Sequence, residues 1–142
     1  ERGNFAGGLV TGTGATIKLA VNSIILSLAE AVGEGLVLAE RAGIARTTAY
    51  EVFANSAISA PYVQYRREAY ERPGEIPVAL RIMLAIKDLD LALSLAEEVG
   101  APLQQAQLNR ALFSEAAAAG FGDWDVTGLA QHFRKKAAAG EA

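Results

Sequence analysis

The longest apolar pattern in the chain runs from about Thr13 to Ala42, where hydrophobic residues occur almost all the way round a helical projection. Such a pattern predicts one long helix that other helices surround. Thr13 is a suitable N-cap residue and Gly43 a suitable stop. Gly33 and Gly35 lower the helix propensity, but they would let neighbouring helices approach closely.

The rest of the chain is rich in Ala, Leu and Glu and has no long run of alternating β-branched residues, which predicts helices throughout. Residues 1–11 are glycine-rich and are expected to be extended or irregular. The expected helices after the long one cover residues 46–56 (capped at Thr47 or Thr48), 59–74 (stopped by Pro73 and Gly74), 78–99 (closed by Gly100), 102–119 (opened by Pro102) and 126–139, with a turn at GFGDWD. The predicted fold class is all-α: a single helical domain, residues 1–142, forming a bundle around one long central helix.

The segment from Leu19 to Ala39 is close to the length that spans a membrane. Glu30 and Glu34 fall inside it, and Lys18 lies at one edge. Each acid near the middle of a bilayer would cost roughly 2.5 to 3.5 kcal/mol. We therefore expect this helix to be buried by protein rather than by lipid.

With 142 residues, of which 51% are hydrophobic and 20% charged, the chain is one domain or one lobe of a larger protein. Its net charge of -3 argues against a protein that binds nucleic-acid phosphates. The absence of cysteine excludes disulfides and thiolate metal sites, and we expect no metal. The single histidine, His132, is expected at the surface or at a helix end. No basic-then-apolar leader opens the chain, so we expect a cytoplasmic protein.

The stretch GTGATIKLAVN, from Gly12 to Asn22, begins like a glycine loop that cradles the phosphates of a dinucleotide. That fingerprint needs a third glycine, between a strand and a helix. Ile17 occupies the third glycine position, and the following residues predict helix rather than a second strand. A phosphate cradle is therefore not expected at this point.

Lys18 and Asn22 are four residues apart, which places an ammonium and an amide side by side on one face of the long helix. A cation in so apolar a segment costs free energy unless a partner or a cleft receives it. The spacing alone leaves two interpretations open. The lysine extends to water beside a capping-type asparagine, or the two groups face a ligand.

Four segments resemble the β-hydroxyacid dehydrogenases, the family of 3-hydroxyisobutyrate dehydrogenase and tartronate semialdehyde reductase. GTGATIKLAVN is similar to the family segment G-x-G-x-x-x-K-x-x-x-N, and KDLDLALSLAEEVGAP, from Lys87 to Pro102, resembles its K-D-L-x-L-A segment and the glycine and proline that follow. GFGDWD resembles the G-x-G-D-x-D turn, and EGLVLAERAG resembles the E-x-x-x-L-A-x-x-x-G helix end. They occur in order between about Gly7 and Thr127, so together they are a specific signal.

The resemblance implies a C-terminal helical domain like that of 6-phosphogluconate dehydrogenase, which packs against an N-terminal Rossmann domain. That second domain, absent from these residues, would hold most of the NAD or NADP, so the chain alone is expected to be inactive. The resemblance also implies that the whole protein interconverts a 3-hydroxyacid and its semialdehyde or ketone. It implies a homodimer or higher homo-oligomer, and no nucleic-acid or membrane partner.

The resemblance also implies roles for individual residues. Lys18 would be the general acid/base that exchanges a proton with the substrate oxygen during hydride transfer. Asn22 would hydrogen-bond the substrate, and Gly14 would let the substrate approach the start of the helix. Lys87 would reach the cofactor or substrate side of the cleft, whereas Asp88 would anchor the local helix.

Two departures from the family leave the substrate open. Leu80 stands where many members have phenylalanine, and NSAISAPYV offers only Ser56, Ser59 and Tyr62 as candidates for substrate contacts. Two other hypotheses also remain. The chain would be a non-catalytic helical module for dimerisation or scaffolding, or an imine-reductase-like variant, although imine reductases usually replace the lysine by Asp or Tyr.

Overall fold

The computed structural model describes residues 12–141, so the irregular segment expected at residues 1–11 lies outside the described residues. The described residues form helices with no β-strand beyond one isolated bridge between Arg81 and Asp125. The predicted all-α class is therefore confirmed. In chain order the elements are α1 (Thr13–Arg41), α2 (Arg46–Ala54), α3 (Pro61–Tyr65), α4 (Arg67–Glu71), α5 (Ile82–Val99), α6 (Gln104–Ala116), a π-helical turn (Ala117–Phe121) and α7 (Gly128–Ala139).

The long helix α1 has nearly its predicted length, but its first turn is capped differently. Thr13 is the first helical residue, and the N-cap is Gly12, with a φ of 93°. Side chains with a Cβ rarely adopt this positive φ, so glycine suits the entry into the helix. Gly43, with a φ of 91°, follows the last turn and ends the helix as predicted.

Helices α5, α7, α2 and α6 pack around α1 but do not cover its first turns. The buried residues of α1 begin at Leu26, whereas Ile17 and Ile24 are 58% and 67% exposed. The predicted enclosure of this helix by other helices therefore applies from Leu26 onwards and not to the turns before it. Beside these first turns lie α5 and the loop that leads into α6.

Helix α1 also has the length and composition of a membrane-spanning helix, and 39% of its most apolar window is buried inside the protein. Core helices and signal sequences meet the same criteria, so one such helix is weak evidence for a membrane span. The sequence predicted that protein and not lipid buries this helix. The residues of α1 that are buried inside the protein lie between Leu26 and Val37.

Gly33 and Gly35 permit the close helix contacts that the sequence predicts. A Cβ added to Gly33 would lie 3.5 Å from Ala130 in α7, and one added to Gly35 would lie 3.5 Å from the Phe53 ring in α2. A larger side chain at either position would push the neighbouring helix outward.

The helix predicted at residues 59–74 is divided in two at Arg66, whose ψ of 2° departs from a regular helix. The Arg66 side chain is buried, and its Nη2 lies 2.8 Å from Oδ2 of Asp125. The two groups form an ion pair, but their geometry does not meet the criteria for a hydrogen bond. Asp125 also accepts hydrogen bonds from the backbone N–H groups of Ala79, Leu80 and Thr127. The Asp125 carboxylate therefore ties the α3–α4 boundary to the turn before α7.

Helix α5 begins at Ile82, later than predicted, because the residues before it pair with the GFGDWD turn. The N–H of Ile82 donates to the carbonyl of Trp124, and the N–H of Val126 donates to the carbonyl of Leu80, both at 2.9 Å. The predicted turn is thus confirmed. Gly100 closes α5 in the left-handed conformation, as predicted.

Three other helix ends differ from the prediction. Thr47 and Thr48 lie inside the first turn of α2, because the N-cap is Ala45. Pro102 precedes α6, which starts at Gln104 and passes into the π-helical turn after Ala116. The last helix starts at Gly128 rather than at residue 126.

The prediction for His132 is wrong. Its side chain is buried, and Nε2 lies 3.0 Å from Oε1 of Glu115 in α6. The ring also packs edge-on against Phe121. The basic residues that follow His132 indicated a surface position, but the ring itself faces α6 and the π-helical turn.

Glu30 is a buried acid on α1. It is only 5% exposed, and its Oε1 has no hydrogen-bond partner among the described residues. Burial, together with the negative charge of Glu34, raises the pKa of Glu30 to about 7. A group whose pKa rises on folding stabilises the protein below its unfolded-state pKa. That contribution is lost as the pH rises through the folded-state pKa.

We expect Glu30→Gln to remove this pH dependence. The neutral amide resembles the protonated acid at pH 5, whereas at pH 8 the variant should be more stable than the wild type by about 3 kcal/mol. Urea unfolding at the two pH values measures the difference. Glu98→Gln, at an exposed position on α5, should change stability equally at both pH values. A Glu30→Gln effect that is also independent of pH would contradict the prediction.

Candidate active site

Lys18 and Asn22 lie on the same side of α1 as its buried residues, but nearer the N-terminus, where the helix is less covered. The buried residues on this face recur every three or four positions and are Leu26, Ala29, Gly33 and Leu36. Steps of four towards the N-terminus lead to Asn22 and then to Lys18, on the same side of the helix. Asn22 is half-buried and Lys18 is exposed. The pair therefore lies at the open end of the core.

Helix α5 holds Asn22 from the side. The Asn22 amide donates a hydrogen bond from Nδ2 to Oδ2 of Asp88 at 3.3 Å. Asp88 precedes Leu89, which is fully buried against the core, so its backbone is firmly placed. The sequence assigned Asp88 to anchoring its own helix, and no periodicity showed that it would meet Asn22.

Lys87 is exposed on α5. Successive helical residues point about 100° apart, so Lys87 leaves α5 in a different direction from Asp88. Within residues 12–141 the structure gives Lys87 no hydrogen bond or ion pair with Lys18 or Asn22. Lys87 is therefore adjacent in sequence to the Asn22 partner Asp88, and no polar contact joins it to the Lys18–Asn22 pair in the described residues.

Gly14 lies one turn before Lys18, in the exposed first turn of α1. A Cβ added to Gly14 would meet no atom of another element within 4 Å in residues 12–141. The described residues therefore leave space beside Gly14, as the approach of a ligand would require.

The other candidates for substrate contacts are not brought to Lys18. Ser56 and Ser59 are exposed between α2 and α3, whereas Tyr62 is buried and its hydroxyl lies 3.2 Å from that of Tyr70. Tyr70 in turn donates to the carbonyl of Ala29, which is about 16 Å along α1 from Lys18.

An apolar groove of about 340 Å³ lies between α1 and the C-terminal half of α5. Its α1 wall is formed by Thr16, Leu19, Ala20, Ser23 and Ile24. Lys18 and Asn22 do not line this groove. Helices α1 and α5 form one wall beside Lys18 and Asn22. Because Lys18 is exposed, the described residues do not form a wall on its other side.

The arrangement joins two kinds of chemistry on one small surface. An exposed amine can exchange a proton with a ligand, and an oriented amide can hold that ligand in place. Ile17 and Val21, which are 58% and 47% exposed, add apolar surface on the adjoining face of α1. Such a combination suits a small polar ligand held against an apolar wall.

Comparison with known proteins identifies the family of the chain. A family model described as "NAD-binding of NADP-dependent 3-hydroxyisobutyrate dehydrogenase" matches residues 12–133. The chain belongs to this family of NAD(P)-dependent hydroxyacid dehydrogenases.

Individual relatives are similar to the chain over more than four fifths of its length. Glyoxylate/succinic semialdehyde reductase 1 of Arabidopsis thaliana is 30% identical over 83% of this chain and 40% of its own length. The crystal structure of 3-hydroxyisobutyrate dehydrogenase from Salmonella typhimurium superposes with a TM-score of 0.78 at 25% identity, covering 86% of this chain and 42% of that one. The cytokine-like nuclear factor N-PAC of Aedes aegypti is 30% identical over 83% of this chain and 21% of its own length. The chain thus spans less than half the length of each of these proteins.

Proposed function

We propose that the chain is the substrate-binding and catalytic half of an oxidoreductase that uses NAD or NADP. The whole protein would interconvert a 3-hydroxyacid and its semialdehyde or ketone. The observation that carries the proposal is the Lys18–Asn22 pair at the open end of the core, with the Asn22 amide held by Asp88. Family membership supports the reaction class.

In this proposal Lys18 exchanges the proton. During oxidation its neutral amine accepts the hydroxyl proton of the substrate, and during reduction its ammonium returns a proton to the carbonyl oxygen. NAD or NADP, when bound, supplies the hydride acceptor or donor. Asn22 fixes the substrate oxygen beside the amine, and the open space at Gly14 admits the substrate.

The proposal requires a second wall for the site. Lys18 is exposed here, and proton transfer in such a site needs water to be excluded. We infer that an NAD(P)-binding Rossmann domain covers Lys18, Ile17 and Val21 in the whole protein. A homodimer or higher homo-oligomer would cover further apolar surface, such as Leu38, which is 73% exposed.

The test is turnover by the chain joined to an NAD(P)-binding domain of the family or mixed with it. We expect nicotinamide reduction with 3-hydroxyacids and none when the 142-residue chain is assayed alone. Cyclic imines, which the imine-reductase alternative would favour, provide the comparison substrates. Turnover of imines but not of hydroxyacids would exclude the proposed reaction.

A second candidate function is a non-catalytic helical module for dimerisation or scaffolding. The similarity to N-PAC, whose name is not that of a dehydrogenase, favours considering it. The module would form a stable oligomer by light scattering, and neither NAD(P) nor a hydroxyacid would change its stability in any context. Ligand-dependent stabilisation with the NAD(P)-binding domain present would exclude the second candidate.

A further inference from the structure

The amide of Asn22 has only one orientation that satisfies its contact with α5. A carboxylate can only accept hydrogen bonds, so the side of the amide that faces Asp88 must be the nitrogen. The Nδ2–Oδ2 distance of 3.3 Å agrees with this assignment. Because oxygen and nitrogen project to different sides of a planar amide, Oδ1 of Asn22 then points away from Asp88.

We propose that Asp88 is a positioning residue that orients Asn22 for the ligand bound beside Lys18. This inference rests on the proposed function. With Nδ2 turned to Asp88, Asn22 presents Oδ1, which accepts hydrogen bonds. The group that Asn22 recognises through Oδ1 is therefore a donor, either the hydroxyl of the substrate or the ammonium of Lys18 one turn away. A substrate carboxylate cannot bind to Oδ1, so it is held by the second N–H of Nδ2 or by another group.

The surroundings of Asp88 suit this role. Ala85 and Leu89 are fully buried, and Ala92 is 6% exposed, so the segment of α5 that carries Asp88 is fixed in the core. Asp88 itself is half-buried at the edge of that face. A hydrogen bond to an ionised acceptor is stronger than a neutral one, and partial burial protects it from water. Without Asp88, the Asn22 amide would be free to rotate between its two orientations.

If Asp88 had a purely structural role, its substitution would have different effects on stability and on catalysis. If the hydrogen bond only joined α1 to α5, its loss would lower the free energy of unfolding and leave the catalysis of the folded protein unchanged. The two roles are therefore separated by substrate kinetics and by a double-mutant cycle with Asn22.

The kinetic test uses the chain together with its NAD(P)-binding domain. We expect Asp88→Ala to lower kcat/KM for the hydroxyacid about tenfold, with the KM for NAD(P) unchanged. Asp88→Asn should restore most of the loss, since its amide oxygen can accept from Asn22. Asn22→Ala should cause a similar loss, and the double variant should be no worse than either single one. Asp90→Asn is the matched control, because Asp90 lies on the same helix and instead pairs with Arg110.

A second measurement needs only the 142-residue chain. In nuclear magnetic resonance spectra, the two side-chain N–H protons of Asn22 should be well separated in shift, and Asp88→Ala should bring them together. Asp90→Asn should not. If Asp88→Ala leaves these resonances unchanged, or if the Asn22 and Asp88 losses are additive, the positioning role is overturned. If the wild-type chain combined with its NAD(P)-binding domain does not turn over hydroxyacids, the proposed function is contradicted instead. The side-chain N–H resonances of Asn22 would still show whether Asp88 fixes its orientation.

Discussion

Lys18→Ala is expected to lower kcat for hydroxyacid oxidation by about 10²- to 10⁴-fold in the chain combined with its NAD(P)-binding domain. This is the usual contribution of a general acid/base, and Lys18 is the one lysine of α1, which also has no histidine. The temperature of unfolding should stay nearly constant, because Lys18 is exposed. Steady-state kinetics and thermal unfolding of the same preparation measure both effects.

Two further variants sharpen this prediction. Lys18→Arg keeps the positive charge but cannot give up its proton near neutral pH, so it should be nearly as inactive as Lys18→Ala. Lys135→Ala removes an exposed cation from α7 and should leave turnover unchanged. A wild-type rate for Lys18→Ala would contradict the proposed mechanism. If Lys18→Arg is active and Lys18→Ala is not, Lys18 supplies positive charge and not a proton.

Asp125→Ala is expected to lower the free energy of unfolding by about 3 to 5 kcal/mol. The substitution leaves the buried guanidinium of Arg66 without its partner and removes the acceptor of three backbone N–H groups. Burial alone would raise the pKa of Asp125, but these hydrogen bonds and the charge of Arg66 hold it below its usual value. The ionised Asp125 carboxylate is therefore more stable in the folded protein than in the unfolded chain.

The neighbouring acid of the same turn provides the control. The Asp123 side chain is 89% exposed and lies 3.8 Å from Arg81, so Asp123→Ala should change stability by less than about 0.5 kcal/mol. Urea unfolding near neutral pH compares the two variants. Equal effects at both positions would show that Asp125 is not the structural centre of the turn.

The sequence was a good guide to long elements and a poor one to the contacts between them. The bounds of α1 were predicted nearly to the residue, because an apolar run closed by Gly43 depends on local preferences. The cap residues were missed, since Thr13 and Thr47 have good cap chemistry but the chain enters each helix one or more residues earlier. Local propensity does not distinguish a cap from the first helical turn.

Tertiary contacts explain the larger differences. Arg66 interrupts a helix that its own sequence favours, and its buried partner, Asp125, lies in a turn far away in the chain. His132 was misplaced for a similar reason, because Glu115 is supplied by another helix. The periodicity of one segment contains no information about which charged group will face it.

The candidate site was found in part. The four-residue spacing placed Lys18 and Asn22 together, and the structure keeps them on one face of α1. The hydrogen bond between Asn22 and Asp88 required the packing of α5 against α1, which no motif encodes. The roles of Lys18, Asn22, Lys87 and Gly14 in catalysis stay predictions for the experiments above.

A change of tilt at the contact between Gly33 and Ala130 would be carried along α1 to Lys18. The helix is continuous from this contact to Lys18, a length of about 22 Å. A tilt of about 5° at Gly33 would therefore displace the Lys18 backbone by about 2 Å. Misplacement of a reacting group by 1 Å can reduce a rate about a hundredfold. A substitution in α7 that wedges this crossing apart could thus slow a reaction several helical turns away while leaving every residue near the amine intact.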